Sequence, residues 1–173
     1  MRRVLPILLL VLSFGVRAQG PTPVAKPEDV KSIDSILSAL YGVISHPPGT
    51  KLDSDRFRSL FTADARMIVA SAQGGSSTIS SITPEEYIKL YGSYKLGFFE
   101  KEIARRTEQF ANIAQVFSTF EARLKKDAPR PFERGINAFQ LYNDGTRWWI
   151  LSVCWQGESR SNPLPPKYLP NAG

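Results

Sequence analysis

The stretch FERGINAFQLYNDGTRWWILSVCWQG, Phe132 to Gly157, decides the fold. Asn143-Asp144-Gly145 is a turn signal with β-forming residues on both sides, so the stretch reads as a β-hairpin. A three-residue loop, with Gly145 in the left-handed position of a bulge, pairs Tyr142 with Thr146. One face then collects Phe139, Leu141, Trp149, Leu151, Val153 and Trp155. The other collects Ala138, Gln140, Tyr142, Trp148, Ile150, Ser152, Cys154 and Gln156. A slip of one residue turns a whole strand over, and an even-numbered loop mixes the two sets. Hydrophobicity therefore selects the three-residue loop. Its first face is a core surface that the rest of the chain must cover.

Working back from the hairpin, Lys125 to Pro131 is a connection, and Phe98 to Leu124 holds no Gly or Pro. That run is too long for one strand, for which roughly 3–10 residues are usual. Phe110-Ala111-Asn112-Ile113 is where it folds into a second hairpin, with Ala114, Val116, Ser118 and Phe120 alternating with Gln115, Phe117, Thr119 and Glu121. Before it, Thr83-Pro84-Glu85-Glu86 is a capping box with proline at the first helical position. The helix it opens carries Tyr87, Ile88, Tyr91 and Tyr94 and ends by Gly97. Ala65 to Ala70 and Thr78 to Ile82 read as a short strand pair around a flexible Gly74-Gly75-Ser76-Ser77 loop. A short helix from Asp53 or Ser54 carries Phe57, Leu60 and Phe61 and ends near Thr62 to Asp64. From Pro27, the steps Val30, Ile33, Leu37, Leu40 and Ile44 give one amphipathic helix, stopped at His46-Pro47-Pro48-Gly49. Helices first and an antiparallel meander last indicate an α+β fold, with a curved antiparallel sheet packed on the N-terminal helices. A twisted sheet curled around helices encloses an internal pocket, where a ligand site is expected.

The two ends lie outside that domain. Met1 to Ala18 combines Arg2 and Arg3, an apolar run from Val4 to Val16 and Val16-Arg17-Ala18 at the cleavage position. This 13-residue run falls short of the ~20 residues that span a bilayer. Residues 1–18 are therefore expected to be a cleaved export signal, which implies a periplasmic or secreted protein with no membrane association after cleavage. Residues 19–26 are a Pro-rich linker, 27–157 the domain, and 158–173 a Pro-rich tail draped over the surface.

Charge and cysteine use exclude several functions. The 22 Lys and Arg exceed the 16 Asp and Glu, yet without Arg2, Arg3 and Arg17 the balance is 19 to 16. The basic residues form no stripe, so nucleic acid is not an expected partner. Cys154 is the one cysteine and His46 the one histidine, far apart in the chain. They build neither an intrachain disulfide nor a zinc site, and Cys154 reads as a small strand residue. No Gly-rich phosphate loop occurs, because Gly74-Gly75 lacks the lysine and the strand-to-helix context. No cofactor is implied.

Phe57-Arg58-Ser59-Leu60-Phe61 leading into Ala63-Asp64-Ala65-Arg66, together with Asn143-Asp144-Gly145-Thr146-Arg147-Trp148-Trp149-Ile150, resembles the nuclear transport factor 2-like superfamily. That superfamily includes the SnoaL-like and ketosteroid-isomerase-like proteins. The match spans about Pro27 to Gly157, and its motifs speak to fold rather than chemistry. It is most similar to exported bacterial members with no assigned activity. The resemblance implies a cone of curved sheet and helices with a pocket, and often a homodimer through the outer sheet face. Trp148, Ile150 and Tyr142 would make that face apolar; the Pro-rich tail is the alternative cover. Isomerase-like members use a strand carboxylate with a Tyr and a protonated acid, an arrangement of which ketosteroid isomerase is the worked example. Here no Asp lies inside the late strands, whereas Glu100, Glu102, Glu108, Glu121 and Glu133 do. The strand His of dehydratase-like members and the Asp-Arg-Asp set of epoxide-hydrolase-like members have no counterpart. Asp64 reads as a turn or cap residue.

The pocket candidates are Tyr41, Tyr87, Tyr91, Glu108, Phe139, Trp149 and Trp155. The expected function is binding of a small, largely apolar molecule. The alternatives are a cofactor-free isomerase or lyase with Glu and Tyr as acid–base groups, and an interaction module whose concavity is filled by its own aromatic side chains. A sizeable pocket with convergent polar groups favours the ligand, and a solid core the module.

Overall fold

The computed structural model describes residues 22–73, 76–92 and 95–170. The segment expected to be an export signal, the Gly74-Gly75 loop, Tyr94 and the chain end at 171–173 lie outside the described residues. Helices α1 (Pro27–Val30), α2 (Ile33–Ile44) and α3 (Ser54–Ser59) come first. Strands β1 (Phe61–Gln73) and β2 (Ser76–Ile82) follow, then α4 (Pro84–Tyr91). Strands β3 (Phe99–Phe110), β4 (Ile113–Arg123), β5 (Glu133–Asn143) and β6 (Trp148–Gly157) complete the domain.

The single opening helix expected from the periodicity is two helices. Ser32 is extended, at φ −149 and ψ 166, and its hydroxyl accepts from the Ser35 backbone N–H, so a cap interrupts the apolar stripe. Asp53 caps α3 in the same way, through the Arg56 N–H at 3.1 Å. The capping box at Thr83 and Glu86 is present as read. Helix α4 is shorter than the tyrosine pattern suggests and gives way at Gly92. The β3–β4 hairpin turns at Ala111 and Asn112, with Ala111 at φ 47.

All six strands form one sheet in the order β2-β1-β6-β5-β4-β3. Its pairs are antiparallel except one, because β1 runs parallel to β6. The sheet is therefore mixed, and the early strand pair extends it instead of standing apart. The architecture is α+β, a curved sheet with its helices on one face.

The register of the last hairpin differs from the expected one. Asn143 pairs with Trp148, which leaves four residues in the loop. Asp144 explains this length, since its Oδ1 accepts from the Thr146 N–H at 2.8 Å, the Thr146 hydroxyl at 2.6 Å and the Arg147 N–H at 2.9 Å. These bonds hold its carboxyl far below the usual carboxylate range. The loop alone would turn β6 over along its whole length, but the pairing shifts between Gln140 and Leu141, leaving Leu151 unpaired as a bulge. Trp148 and Ile150 therefore face the core near the turn, and Val153 and Trp155 face it beyond the bulge. Trp148 and Ile150 thus do not furnish an apolar outer surface. Leu151 and Trp149 point away from the core. Trp149 donates to Asp144 Oδ2 at 2.7 Å and lies under the Arg147 guanidinium, 3.6 Å from its ring centre.

The two motifs behind the family resemblance meet in space. Arg147 donates to the Ser59 carbonyl at 2.6 Å, and the Ile150 N–H to the Leu60 carbonyl at 2.9 Å. The end of α3 is thereby tied to the start of β6. Above the inner face, Ile36 and Leu37 of α2, Phe57 of α3 and Phe61 of β1 pack fully buried against Phe139, Leu141 and Ile150. Each such side chain contributes about 1.5–3 kcal/mol through burial. Asp29, also buried, is held by Arg56 through two bonds of 2.8 Å. On the outer face the tail crosses β3 and β4. Tyr168 stacks on Phe117 at 5.4 Å, the Thr119 hydroxyl donates to the Tyr168 carbonyl at 2.6 Å, and Arg106 donates to the Lys167 carbonyl at 2.9 Å. Among the described residues, no helix is long and apolar enough to cross a membrane.

Candidate functional site

Between the helices and the far end of the sheet lies a cavity of about 320 Å³. Leu40 and Ile44 of α2 and Tyr87 and Tyr91 of α4 form its roof. Met67, Phe120, Phe139, Val153 and Trp155 supply its sheet wall. Phe98, Leu124 and Phe132 stand at one end, with Phe132 half exposed, so the space communicates with solvent there. Tyr87 is fixed by stacking on Phe57 at 5.0 Å and by Tyr91 at 4.9 Å. Gly135 on the inner face of β5 shapes the wall. A Cβ there would come within 2.8 Å of the Phe120 ring and 2.3 Å of the Gln156 carbonyl, so only glycine lets that ring lie against the sheet.

Polar groups converge at one place. Glu100 of β3, Glu133 and Asn137 of β5 and His46 all line the cavity. The Asn137 amide donates to Glu100 Oε1 at 3.0 Å and to the Tyr41 hydroxyl at 3.1 Å. Having accepted that bond, Tyr41 donates onward to Ser118 at 2.7 Å, and Ser118 donates to Glu102 in a very short contact. Glu102 is neutralised by Arg105 at 2.8 Å, which also meets Asp34. The direction of this chain follows from its ends, an amide that donates and a carboxylate that accepts.

Burial pushes the Glu100 carboxyl from its ordinary 4.5 up to about 7; Asn137 opposes the rise and the charge of Glu133 adds to it. Burial also raises Glu133. The Tyr41 and Tyr87 phenols are both raised well above the ordinary range by burial, and Glu100 adds to each. Near neutral pH Glu100 is therefore present both as an acid and as its anion, while the phenols stay protonated. His46 places Nδ1 3.1 Å from the Pro47 carbonyl and so donates there. Among the described residues, no group of three His, Cys, Asp or Glu side chains is placed to hold a metal ion.

Of the residues named from sequence, Tyr87, Tyr91, Phe139 and Trp155 line the cavity. Tyr41 is buried on α2 outside the lining and meets the cavity through Asn137. Trp149 lies on the opposite face, because the four-residue loop reverses β6 as far as the Leu151 bulge. Glu108 is exposed and also outside: β3 is irregular between Glu102 and Ala104, and beyond that point Glu108 pairs with Gln115 on the outer face. The same irregularity puts Glu100 and Glu102 inside. Asn137 carried a readable signal, since it shares its parity with Phe139 and Leu141 and is a polar residue in the middle of that row. Asp64 is exposed on β1 and takes no part.

No protein-family model matches the chain, and no curated protein matches it. Solved structures do. A candidate Ca/calmodulin-dependent kinase II association domain from Exiguobacterium sibiricum superposes with a TM-score of 0.55 at 13% identity, over 73% of this chain and 91% of that one. A nuclear transport factor 2-like protein of unknown function from Shewanella baltica gives 0.51 at 13% identity, over 73% and 91%. A candidate ketosteroid isomerase from Parabacteroides distasonis gives 0.51 at 16% identity, over 76% and 92%. Identities this low speak to architecture and not to chemistry. The curved six-stranded sheet, the helices laid across its inner face and the cavity between them are the nuclear transport factor 2-like fold.

Proposed function

We propose that this domain binds a small, largely apolar molecule in the cavity between α2, α4 and the sheet. The observation that carries this reading is an unfilled space of about 320 Å³ with aromatic and aliphatic walls and one polar corner at Glu100 and Asn137. That volume is at the lower end of small-molecule sites, which run from about 300 Å³ upward. A module packed solid by its own side chains would not leave it. Val153→Trp narrows the cavity from the sheet side. Native mass spectrometry of the purified protein tests the reading: a ligand that co-purifies with the parent and is lost in Val153→Trp supports it, and an empty parent that binds no apolar probe refutes it.

A second reading, a cofactor-free isomerase or lyase, is favoured by the Glu100 carboxyl at about 7, suited to moving a proton at neutral pH. Against it, both amide protons of Asn137 are taken, by Glu100 and Tyr41, and the Tyr41 proton goes to Ser118. Neither group has a donor left to polarise a substrate carbonyl. Binding is therefore the first reading. Turnover of any enolisable probe that is lost in Glu100→Gln would reverse that order.

Export and a homodimer complete the proposal. A mature N-terminus near Gln19 in protein recovered from the periplasm or medium tests the first. For the second, the outer face offers Phe110, Ile113, Tyr142 and Leu151, all exposed, as its apolar surface. The tail covers the neighbouring part of that face around Phe117 and Thr119. Sedimentation equilibrium gives the oligomeric state.

A further inference from the structure

The cavity holds two carboxyl groups, Glu100 and Glu133, and among its described lining residues no lysine or arginine stands beside them. The arginines of the neighbouring strands are engaged elsewhere. Arg105 pairs with Glu102 and Asp34, Arg123 with Glu121, and Arg134 with Glu158. The groups that face Glu100 are Tyr41 from α2, His46 beyond it, Tyr87 and Tyr91 from α4, and Asn137 and Glu133 from β5. Asn137 contributes one neutral hydrogen bond and no charge. Glu100 is half-buried and Glu133, at the mouth, is exposed; the inner carboxyl without a counter-ion is costly to ionise, and a cation delivered against it lowers that cost. The rest of the lining suits an organic cation, since Tyr87, Tyr91 and Trp155 line it and the face of an aromatic ring attracts a positive charge. A bare metal ion is not matched by these walls, which supply too few ligands.

We infer that the molecule bound here is an apolar compound carrying one protonated amine, its ammonium group set against Glu100 and Glu133 and its hydrocarbon body against the aromatic wall. This rests on the reading that the cavity binds a small molecule, and it names the class. A carboxylate of the same shape is repelled by the same two groups. A neutral alcohol gains the wall but not the charge.

Calorimetric titration with phenylbutylamine, phenylbutanol and phenylbutyrate, which share one apolar body, separates the possibilities. At about pH 8 the amine is expected to bind about tenfold or more tighter than the alcohol, and the carboxylate weakest. Because Glu100 must be ionised to pair with the ammonium, the preference falls as pH is lowered through about 7. Repeating the amine titration near pH 7 in buffers of different ionisation enthalpy should report proton release, which an apolar contact does not produce. In Glu100→Gln the ratio of amine to alcohol affinity and the proton release near pH 7 should both fall sharply. Equal binding of amine and alcohol to the parent overturns the amine assignment and leaves the apolar cavity standing. Amine preference that survives with its full pH dependence in Glu100→Gln overturns the assignment to that carboxyl. Binding of none of the three overturns both readings.

Discussion

Glu100 is where the interior of this protein meets a proton at neutral pH. Its carboxyl in the folded chain is raised from 4.5 to about 7, so the folded state holds its proton more tightly than the unfolded state. Between about pH 4.5 and 7 the unfolded chain loses that proton first, and stability falls as pH rises through the window. The full effect, present above pH 7, is about 3 kcal/mol of destabilisation. Glu100→Gln keeps an acceptor for Asn137 and removes the charge. The urea midpoint of this variant should stay flat between about pH 4.5 and 8, apart from other titrations, while that of the parent declines. Asn137 works in the opposite sense. Asn137→Leu is close in volume but deletes the donor shared by Glu100 and Tyr41, so the Glu100 carboxyl should move still higher, as read from its carbon chemical shift against pH. The same change should cost about 1–3 kcal/mol in denaturant unfolding, because two buried oxygens lose a partner.

At the scale of elements, the strands were legible as strands and their faces only in part. Alternation gave β4 and β5 correctly, since Ala114, Val116 and Phe120 face the core with Phe139 and Leu141. It failed on β6 between the turn and Leu151, where the four-residue loop reverses the faces until the bulge restores them, and β3 carries an irregularity of its own near Ile103. No residue type announces either place, which is why Glu108 and Trp149 were assigned inward and Trp148 and Ile150 outward. The capping signals at Asp53 and Thr83 were local chemistry and could be read directly, whereas Ser32 was hidden inside an apolar periodicity that continues across it. The parallel union of β1 with β6 depends on where the helices deliver the chain, which no local pattern encodes. Gly135 is the element-scale position with the sharpest consequence. Gly135→Ala would set a methyl group against the Gln156 carbonyl and the Phe120 ring, and should lower stability by about 1–3 kcal/mol in thermal or urea unfolding. A change below about 0.5 kcal/mol would mean that β5 and β6 separate there without cost.

For the whole molecule, the tail is a strap across β3 and β4, joined by the Tyr168–Phe117 stack and the bonds of Thr119 and Arg106. Removing residues 163–173 should uncover Phe117 and enlarge the apolar outer surface around Phe110 and Ile113. The shortened chain is expected to lose about 1–2 kcal/mol and to self-associate more strongly than the full chain in sedimentation velocity. Unchanged association would place the contact between copies away from β3 and β4. The pairing of β1 with β6 has a further consequence, in time rather than in space. Met67 meets Val153, more than eighty residues later in the sequence. The amino-terminal half thus has its own hairpin but no third neighbour until the last strand has been synthesised, and closing so long a loop must precede the contacts that reward it. A nascent chain of this topology cannot complete its sheet until translation is almost over, which makes the final strand the latch that ends that interval.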